Sequence, residues 1–143
     1  MATTERRLSL RVPARAKELQ GIRQQLEHTL VSGGIPLEQA RQWVVAVNEA
    51  CMNIVQHAYG DRHRGDIVLE VDTDSQKWLF RLKDFAPPID TKSLKPRDLD
   101  VVRPGGLGLS LIEKIMDEIH YLNPPDGIGN ILEMTKYWSE QQE

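Results

Sequence analysis

Apolar residues recur along the chain at two different periods, and the changes between them outline a fold. The segment RRLSLRV (6–12) alternates polar and apolar residues, which predicts a strand at the edge of a sheet. DIVLEVDTD (66–74) and QKWLFRLKD (76–84) alternate in the same way around a short polar turn, which predicts a hairpin. ILEMTKYW (131–138) predicts a closing strand.

A helical period separates these strands. The first helix is predicted to open at Pro13, a residue suited to a first helical turn, and to end at Gly33. The second is predicted to run from Pro36 to about Tyr59, where Gly60 stops it. The third is predicted over residues 106–119.

The stretch 85–104 interrupts this order, with four prolines and little periodicity. A long segment of this kind inside a compact domain is typically functional or mobile. The strands and helices together predict an α+β fold. It is a two-layer α/β sandwich with a mostly antiparallel sheet and helices on one face.

Length and charge narrow the class of protein. The chain has 143 residues, a net charge of −3 and one cysteine. These values predict a single domain over 1–143 with no internal disulfide and no nucleic-acid partner. The terminal residues 139–143 are expected to form a disordered tail. No apolar segment approaches the length of a membrane span or a signal core, so we expect a cytoplasmic protein with no membrane contact.

A carboxylate and a carboxamide lie together on the second helix. At about 100° per residue, Glu49 and Asn53 are about 40° apart and well off the apolar arc of that helix. A solvated helix face is the ordinary explanation of such a pair. The functional alternative is a magnesium site, where an amide oxygen holds the ion and the carboxylate accepts a proton from a hydroxyl.

Two further features suggest nucleotide chemistry. Asp84 ends the hairpin and is either a turn residue or a buried acceptor for the exocyclic amine of adenine. Gly105, Gly106 and Gly108 precede or open the third helix, where backbone N–H groups attract phosphate. Their spacing matches neither the dinucleotide fingerprint nor the P-loop, and a plain loop is the other explanation. Arg103 is a further candidate phosphate contact.

The order of these features resembles a known superfamily. VNEACMNIVQHAYG (47–60), the Asp after a strand, GGLGLSLIEKIMD (105–117) and NILEMTKYW (130–138) resemble the motifs of the GHKL, or histidine kinase-like, ATPases. Within it the chain is similar to the stand-alone anti-sigma-factor serine/threonine-protein kinases. The resemblance implies a Bergerat-type ATP-binding fold that uses ATP and Mg²⁺.

The resemblance also implies residue roles. Glu49 would activate the attacking hydroxyl, Asn53 would hold the metal ion, and Asp84 would bind adenine. In the last strand, Thr135 would lie near the base.

The second glycine motif of the family would enclose the phosphates beneath a flexible lid. It corresponds here to Gly105, Gly106, Leu107 and Gly108. The first motif departs from the family, since Ala86 and Pro88 stand where D-x-G-x-G has glycines. Proline removes a backbone donor and stiffens the loop, so adenine binding is expected to be looser or differently shaped.

The function that the resemblance implies is a partner switch. The kinase would phosphorylate a STAS-domain anti-anti-sigma factor and would bind an RNA polymerase sigma factor, and relatives of this type act as homodimers. The alternative is an ATP-binding switch module without phosphoryl transfer. A two-component histidine kinase fits less well, because the residues before Pro36 leave no space for a dimerising helical domain with a phosphoacceptor histidine.

Overall fold

Five strands and three α-helices make up the fold in the computed structural model, which describes residues 4–58, 65–87 and 107–139. The strands are β1 (Glu5–Pro13), β2 (Asp66–Thr73), β3 (Lys77–Asp84), β4 (Glu118–Leu122) and β5 (Asn130–Tyr137). The helices are α1 (Leu19–Ser32), α2 (Leu37–Asn53) and α3 (Leu107–Ile115). A 3₁₀ turn at Ala16–Glu18 precedes α1, and a π-helical segment at Ile54–Ala58 follows α2.

The strands form one antiparallel sheet in the order β1-β2-β3-β5-β4. Its register aligns apolar residues across the strands, as in the row Val71, Phe80, Met134 and Ile119. Side chains alternate along each strand, so such rows make one face of the sheet apolar. That face carries the core.

The helices cover this apolar face. Trp43 of α2 is fully buried and meets Phe80 of β3 edge-on, with ring centroids 6.3 Å apart. It also meets Trp138, just after β5, at 5.7 Å. α1 and α3 both pack against α2, and Ile112 of α3 is buried in the same core. The helix α2 is therefore held from three sides, and its orientation follows from this packing.

The opposite face of the sheet is polar and is crossed by a ladder of ion pairs. Arg81 of β3 binds Asp72 of β2 at 2.9 Å and Glu133 of β5 at 2.8 Å. Arg6 of β1 also binds Asp72. Burial raises the pKa of Asp72, but hydrogen bonds from Arg6 and Arg81 outweigh it, and the net pKa lies below the ordinary value. These pairs join four strands on a face that the described helices leave uncovered.

The predicted two-layer α+β sandwich is confirmed. The core receives alternate apolar residues of both hairpin strands: Ile67, Leu69, Val71, Trp78, Phe80 and Leu82. No helix in the described ranges is long and apolar enough to cross a membrane.

Two boundaries were predicted wrongly. Pro13 closes β1, and the helix that follows begins only after the 3₁₀ turn. The third helix ends at Ile115, because Asp117 donates its N–H to the Thr135 carbonyl and the chain then continues as β4. The second helix continues as a π-helix over Ile54–Ala58, and its predicted end at Tyr59 and Gly60 lies outside the described residues.

Gly33, which ends α1, should not tolerate a larger side chain. A Cβ atom added there would lie 2.5 Å from Cη2 and 2.8 Å from Cζ2 of Trp78, a side chain that is itself buried. Overpacking of this kind costs about 1–3 kcal/mol, so Gly33→Ala should lower the free energy of unfolding by that amount. Chemical denaturation followed by tryptophan fluorescence would measure it.

Gly21→Ala is the matched control, because Gly21 lies inside α1 and a Cβ atom added there would meet nothing within 4 Å. Alanine should stabilise that helix by roughly 0.5–1 kcal/mol. If both variants were equally stable, the close contact between Gly33 and Trp78 would not exist in solution.

Candidate functional site

Asp84 continues the buried side of β3 beyond the last apolar residue. Trp78, Phe80, Leu82 and Asp84 alternate along the strand and are all buried. Asp84 therefore faces the helix layer, with 5% of its surface exposed. A buried carboxylate at this place needs hydrogen bonds, because an unpaired charge is costly in the interior.

One oxygen of this carboxylate is well bonded and the other is not. Oδ1 of Asp84 accepts hydrogen bonds from the backbone N–H of Ala86 at 3.0 Å and from Nδ2 of Asn130 at 2.9 Å. Oδ2 has no hydrogen-bond partner in the part of the chain that the structure describes. Burial raises the pKa of Asp84, and these two hydrogen bonds counteract only part of that effect. The site therefore holds an acceptor that a ligand donor would stabilise.

The connection between β4 and β5 closes this end of the site. Gly129 has φ +80°, and a Cβ atom there would lie 1.9 Å from the backbone oxygen of Asp84. Only glycine permits this approach without strain. The close contact brings Asn130, the next residue, directly opposite Asp84 in the register of β5 and β3.

Phe85 holds the start of the loop after β3. The Arg11 guanidinium lies 4.7 Å from the centre of the Phe85 ring, and the Lys83 ammonium lies 5.3 Å from it. Both are within the range of cation–π attraction. Lys83 and Arg11 belong to one row on the polar face of the sheet, so Phe85 is held on that face while Asp84 points to the other.

Glu49 and Asn53 lie one turn apart in the last turns of α2. Both are half-buried, and neither side chain makes a hydrogen bond or ion pair with the described residues. Residues at this spacing have Cβ atoms roughly 5–6 Å apart on a helix surface. A carboxylate and a carboxamide are therefore neighbours off the buried arc of the helix.

The helix changes its hydrogen bonding immediately after this pair. Ile54–Ala58 is π-helical, which is rare and occurs frequently at functional sites. The wider turn alters the angular position of every later residue relative to Glu49. A regular helical wheel therefore does not apply past Asn53.

The candidate phosphate end is described only in part. Leu107 and Gly108 are the first two residues of α3, so their backbone N–H groups belong to a helix N-terminus. The helix packs on α2, which carries Glu49. Arg103, Gly105 and Gly106 lie outside the described residues, as do Pro88 and most of the 85–104 segment.

Thr135, predicted to lie near the base, is not beside Asp84. It is five residues beyond Asn130 on β5 and pairs with Leu79 and Glu118, so its side chain belongs to the polar face of the sheet. Asn130 occupies the position opposite Asp84. The sequence patterns did not single out Asn130, although a polar residue after the GIG turn (127–129) was an available signal.

These residues fit the two groups that the resemblance implies. Within the described residues, the unbonded oxygen of Asp84 suits the donor group of adenine, and the unpartnered carboxamide of Asn53 suits a hard cation that keeps most of its waters. Ala86, which stands where the family has glycine, still donates its backbone N–H to Asp84. Its replacement of glycine therefore leaves this interaction intact.

Asp84→Asn should separate stability from binding. The amide keeps an oxygen to accept both present hydrogen bonds but removes the buried charge. The pKa of Asp84 is raised in the folded state, so its ionised carboxylate destabilises the fold. This destabilisation begins as the pH rises above the ordinary pKa of aspartate and is complete above the raised pKa. The variant should unfold at a higher temperature than the parent at pH 7, and the difference should shrink as the pH falls. Its affinity for ATP should decrease about tenfold or more.

Asp72→Asn is the control, since Asp72 is equally buried but its pKa is lowered. Its ionised form stabilises the fold above the ordinary pKa and loses that effect as the pH falls. This variant should be less stable than the parent at pH 7 and should bind ATP normally. If both variants raised the unfolding temperature at pH 7, or both lowered it, the assignment of Asp84 would be contradicted.

Comparisons with known proteins identify the family of this chain. Residues 12–136 match the family model described as the histidine kinase-like ATPase domain. The chain is 31% identical to the serine-protein kinase RsbW of Listeria innocua, with 99% of this chain and 94% of that protein covered. It is 32% identical to the RsbW of Staphylococcus aureus, with 99% and 93% covered.

Solved structures share the fold at lower identity. The SiaB–SiaC complex from Pseudomonas aeruginosa contains a chain with a TM-score of 0.60 and 15% identity, covering 93% of this chain and 91% of that one. The structure of the RsbU and RsbW domains of Rv1364c from Mycobacterium tuberculosis gives a TM-score of 0.59 at 18% identity, covering 90% and 32%. The resemblance to this superfamily is confirmed. The chain belongs to the histidine kinase-like ATPase family, among the relatives of the RsbW serine-protein kinases.

Proposed function

We propose that this protein is an ATP-dependent serine/threonine-protein kinase that acts as an anti-sigma factor. It would phosphorylate a STAS-domain anti-anti-sigma factor and would bind an RNA polymerase sigma factor when that partner is phosphorylated. Full-length similarity to proteins named serine-protein kinase RsbW supports this class of activity. The observation that carries it is the pair Glu49 and Asn53 on one helix, whose side chains are unpartnered within the described residues.

Base recognition falls to Asp84. Its Oδ2, which has no hydrogen-bond partner among the described residues, would accept the exocyclic amine of adenine. Guanine presents a carbonyl at the same position, so the carboxylate would face a second acceptor. A charge-assisted hydrogen bond contributes about 1.5–3 kcal/mol, enough to set the choice of base. The remaining affinity must come from the phosphates and the walls of the pocket.

The triphosphate end combines a metal ligand with a helix N-terminus. Asn53 would hold Mg²⁺ through its carboxamide oxygen, and the ion when bound would neutralise charge on the phosphates. Gly105, Gly106, Leu107 and Gly108 would surround the phosphates with backbone N–H groups at the start of α3. Arg103 would add a positive charge there.

Phosphoryl transfer then requires positioning and one proton acceptor. The hydroxyl oxygen of the partner's serine forms a bond to the γ-phosphorus, and the bond between that phosphorus and the β–γ bridging oxygen breaks. ADP leaves with the electron pair of the broken bond. Glu49 accepts the proton of the serine hydroxyl, which its place one turn before Asn53 allows.

The setting of this activity is also part of the proposal. The protein would work in the cytoplasm as a homodimer, with two protein partners and neither nucleic acid nor membrane among them. The solved SiaB–SiaC complex shows a protein of this fold bound to a partner protein, which supports a partner-switching role. The alternative is a module that binds ATP and its partner but transfers no phosphate. The departures from the family's first glycine motif at Ala86 and Pro88 favour it.

Glu49→Gln provides the test of transfer. The purified chain would be mixed with Mg-ATP labelled on the γ-phosphate and a STAS-domain protein encoded in the same genome. The parent should label a serine or threonine of that protein. Glu49→Gln should reduce the rate roughly 100-fold or more, since it removes the general base, while its ATP affinity stays near the parent value.

Glu38→Gln is the matched control, because Glu38 lies in the first turn of the same helix and should leave the rate unchanged. Asn53→Ala should abolish the dependence of nucleotide binding on Mg²⁺. Tight ATP-dependent binding of the partner without label, in the parent itself, would replace the kinase by the switch module. Equal rates in the parent and Glu49→Gln would remove Glu49 from the mechanism.

A further inference from the structure

Asn130 makes two hydrogen bonds that close the turn after β3. Its Nδ2 donates to Oδ1 of Asp84 at 2.9 Å and to the backbone oxygen of Pro87 at 3.2 Å. The first acceptor ends the strand and the second lies three residues later. One carboxamide therefore joins both ends of the Asp84–Pro87 turn to β5.

We propose that Asn130 is a positioning residue that makes Asp84 selective for adenine. The inference rests on the proposed function, because it assumes that Asp84 binds the base. Asn130 occupies one oxygen of the carboxylate and leaves the other for the ligand. It sets which oxygen is offered and in which direction, without contacting the γ-phosphate.

The chemistry of the contacts fixes the orientation of the Asn130 side chain. The two described partners of Nδ2, a carboxylate and a carbonyl, are acceptors only, so the amino group and not the oxygen must face them. The neighbouring Gly129, in contact with the Asp84 backbone, allows β5 to come close enough for these bonds. The backbone contact at Gly129 therefore positions the Asn130 side chain beside Asp84.

The same contacts explain how the turn stays ordered without the usual glycines. Ala86 bonds back to Asp84 through its N–H, and Pro87, which has no N–H, contributes its carbonyl to Asn130. The side chain of Asn130, on β5, thus stabilises the turn through these hydrogen bonds. Loss of these hydrogen bonds should leave the Asp84 carboxylate and the turn without a fixed orientation. The preference for adenine should therefore decrease more than nucleotide binding in general.

The charged groups that the structure describes around Phe85 lie on the other side of the sheet. Lys83 and Arg11 surround Phe85 on the polar face, and Asp126 pairs with Lys83 at 3.7 Å. Among the described residues, the pKa of Asp84 responds to burial and to its bonds from Asn130 and Ala86. Removing the Asn130 donor should therefore raise that pKa further, which a binding experiment can detect.

The test compares Asn130→Ala and the isosteric Asn130→Asp with the parent by calorimetry, using Mg-ATP and Mg-GTP from pH 5 to pH 8. The parent should prefer ATP by about tenfold or more. Asn130→Ala should lose most of that preference through weaker ATP binding, and as the pH falls its ATP affinity should begin to decline at a higher pH than that of the parent. Asn130→Asp should bind ATP more weakly still at pH 8, where two carboxylates face each other.

Ile131→Val is the control, because Ile131 is the next residue of β5 and its side chain lies on the polar face. It should keep the parent's ATP preference and pH profile, and circular dichroism should show every variant folded. If Asn130→Ala retained both the preference and the profile, Asn130 would be an ordinary structural residue while the proposed function stood. If the parent showed no preference for ATP, base recognition by Asp84 would fail first, and this inference with it.

Discussion

The structure depends on the alternation of side chains along β3. Three apolar residues of this strand enter the core under α2, and the fourth position on the same face is Asp84. The backbone that builds the hydrophobic core therefore carries a carboxylate into a buried place at its end. The cost of that burial is reduced by two hydrogen bonds to one oxygen, while the other oxygen accepts no hydrogen bond from the residues that the structure describes.

The second constraint is the packing of α2. Trp43 and its apolar neighbours bury one side of the helix against the sheet, and this determines the direction of the opposite side. Glu49 and Asn53 lie off the buried arc near the end of the α-helical part, where the π-helical segment begins. The packing and the proposed chemistry would thus use different sides of one helix, so changes at Glu49 can be tested without disturbing the core.

Much of this arrangement could be predicted from local patterns. The alternation in β2 and β3 and the helical spacing of Glu49 and Asn53 depend on residues close together in the sequence, and they predicted the sheet face, Asp84 and the polar pair. Strand register cannot be predicted from local patterns, because it depends on pairing between distant segments. The short strand β4 exists because it pairs with β5, and its five residues follow α3 too closely to be separated by periodicity.

The same limit applies to the last strand. Whether Asn130 or Thr135 lies beside Asp84 is decided by the pairing of β5 with β3, a contact between distant segments. The odd spacing of those two residues puts them on opposite faces. The π-helical turn after Asn53 was likewise invisible, because the apolar residues that follow it are compatible with an ordinary helix.

The most direct measurement of the central claim changes the ligand and leaves the protein intact. Calorimetry would compare ATP with purine riboside triphosphate, which lacks only the exocyclic amine that Asp84 is proposed to accept. We predict that the analogue binds about tenfold or more weakly, in line with the loss of one charge-assisted hydrogen bond. Equal affinities for the two nucleotides would show that Oδ2 of Asp84 does not bind the exocyclic amine of adenine.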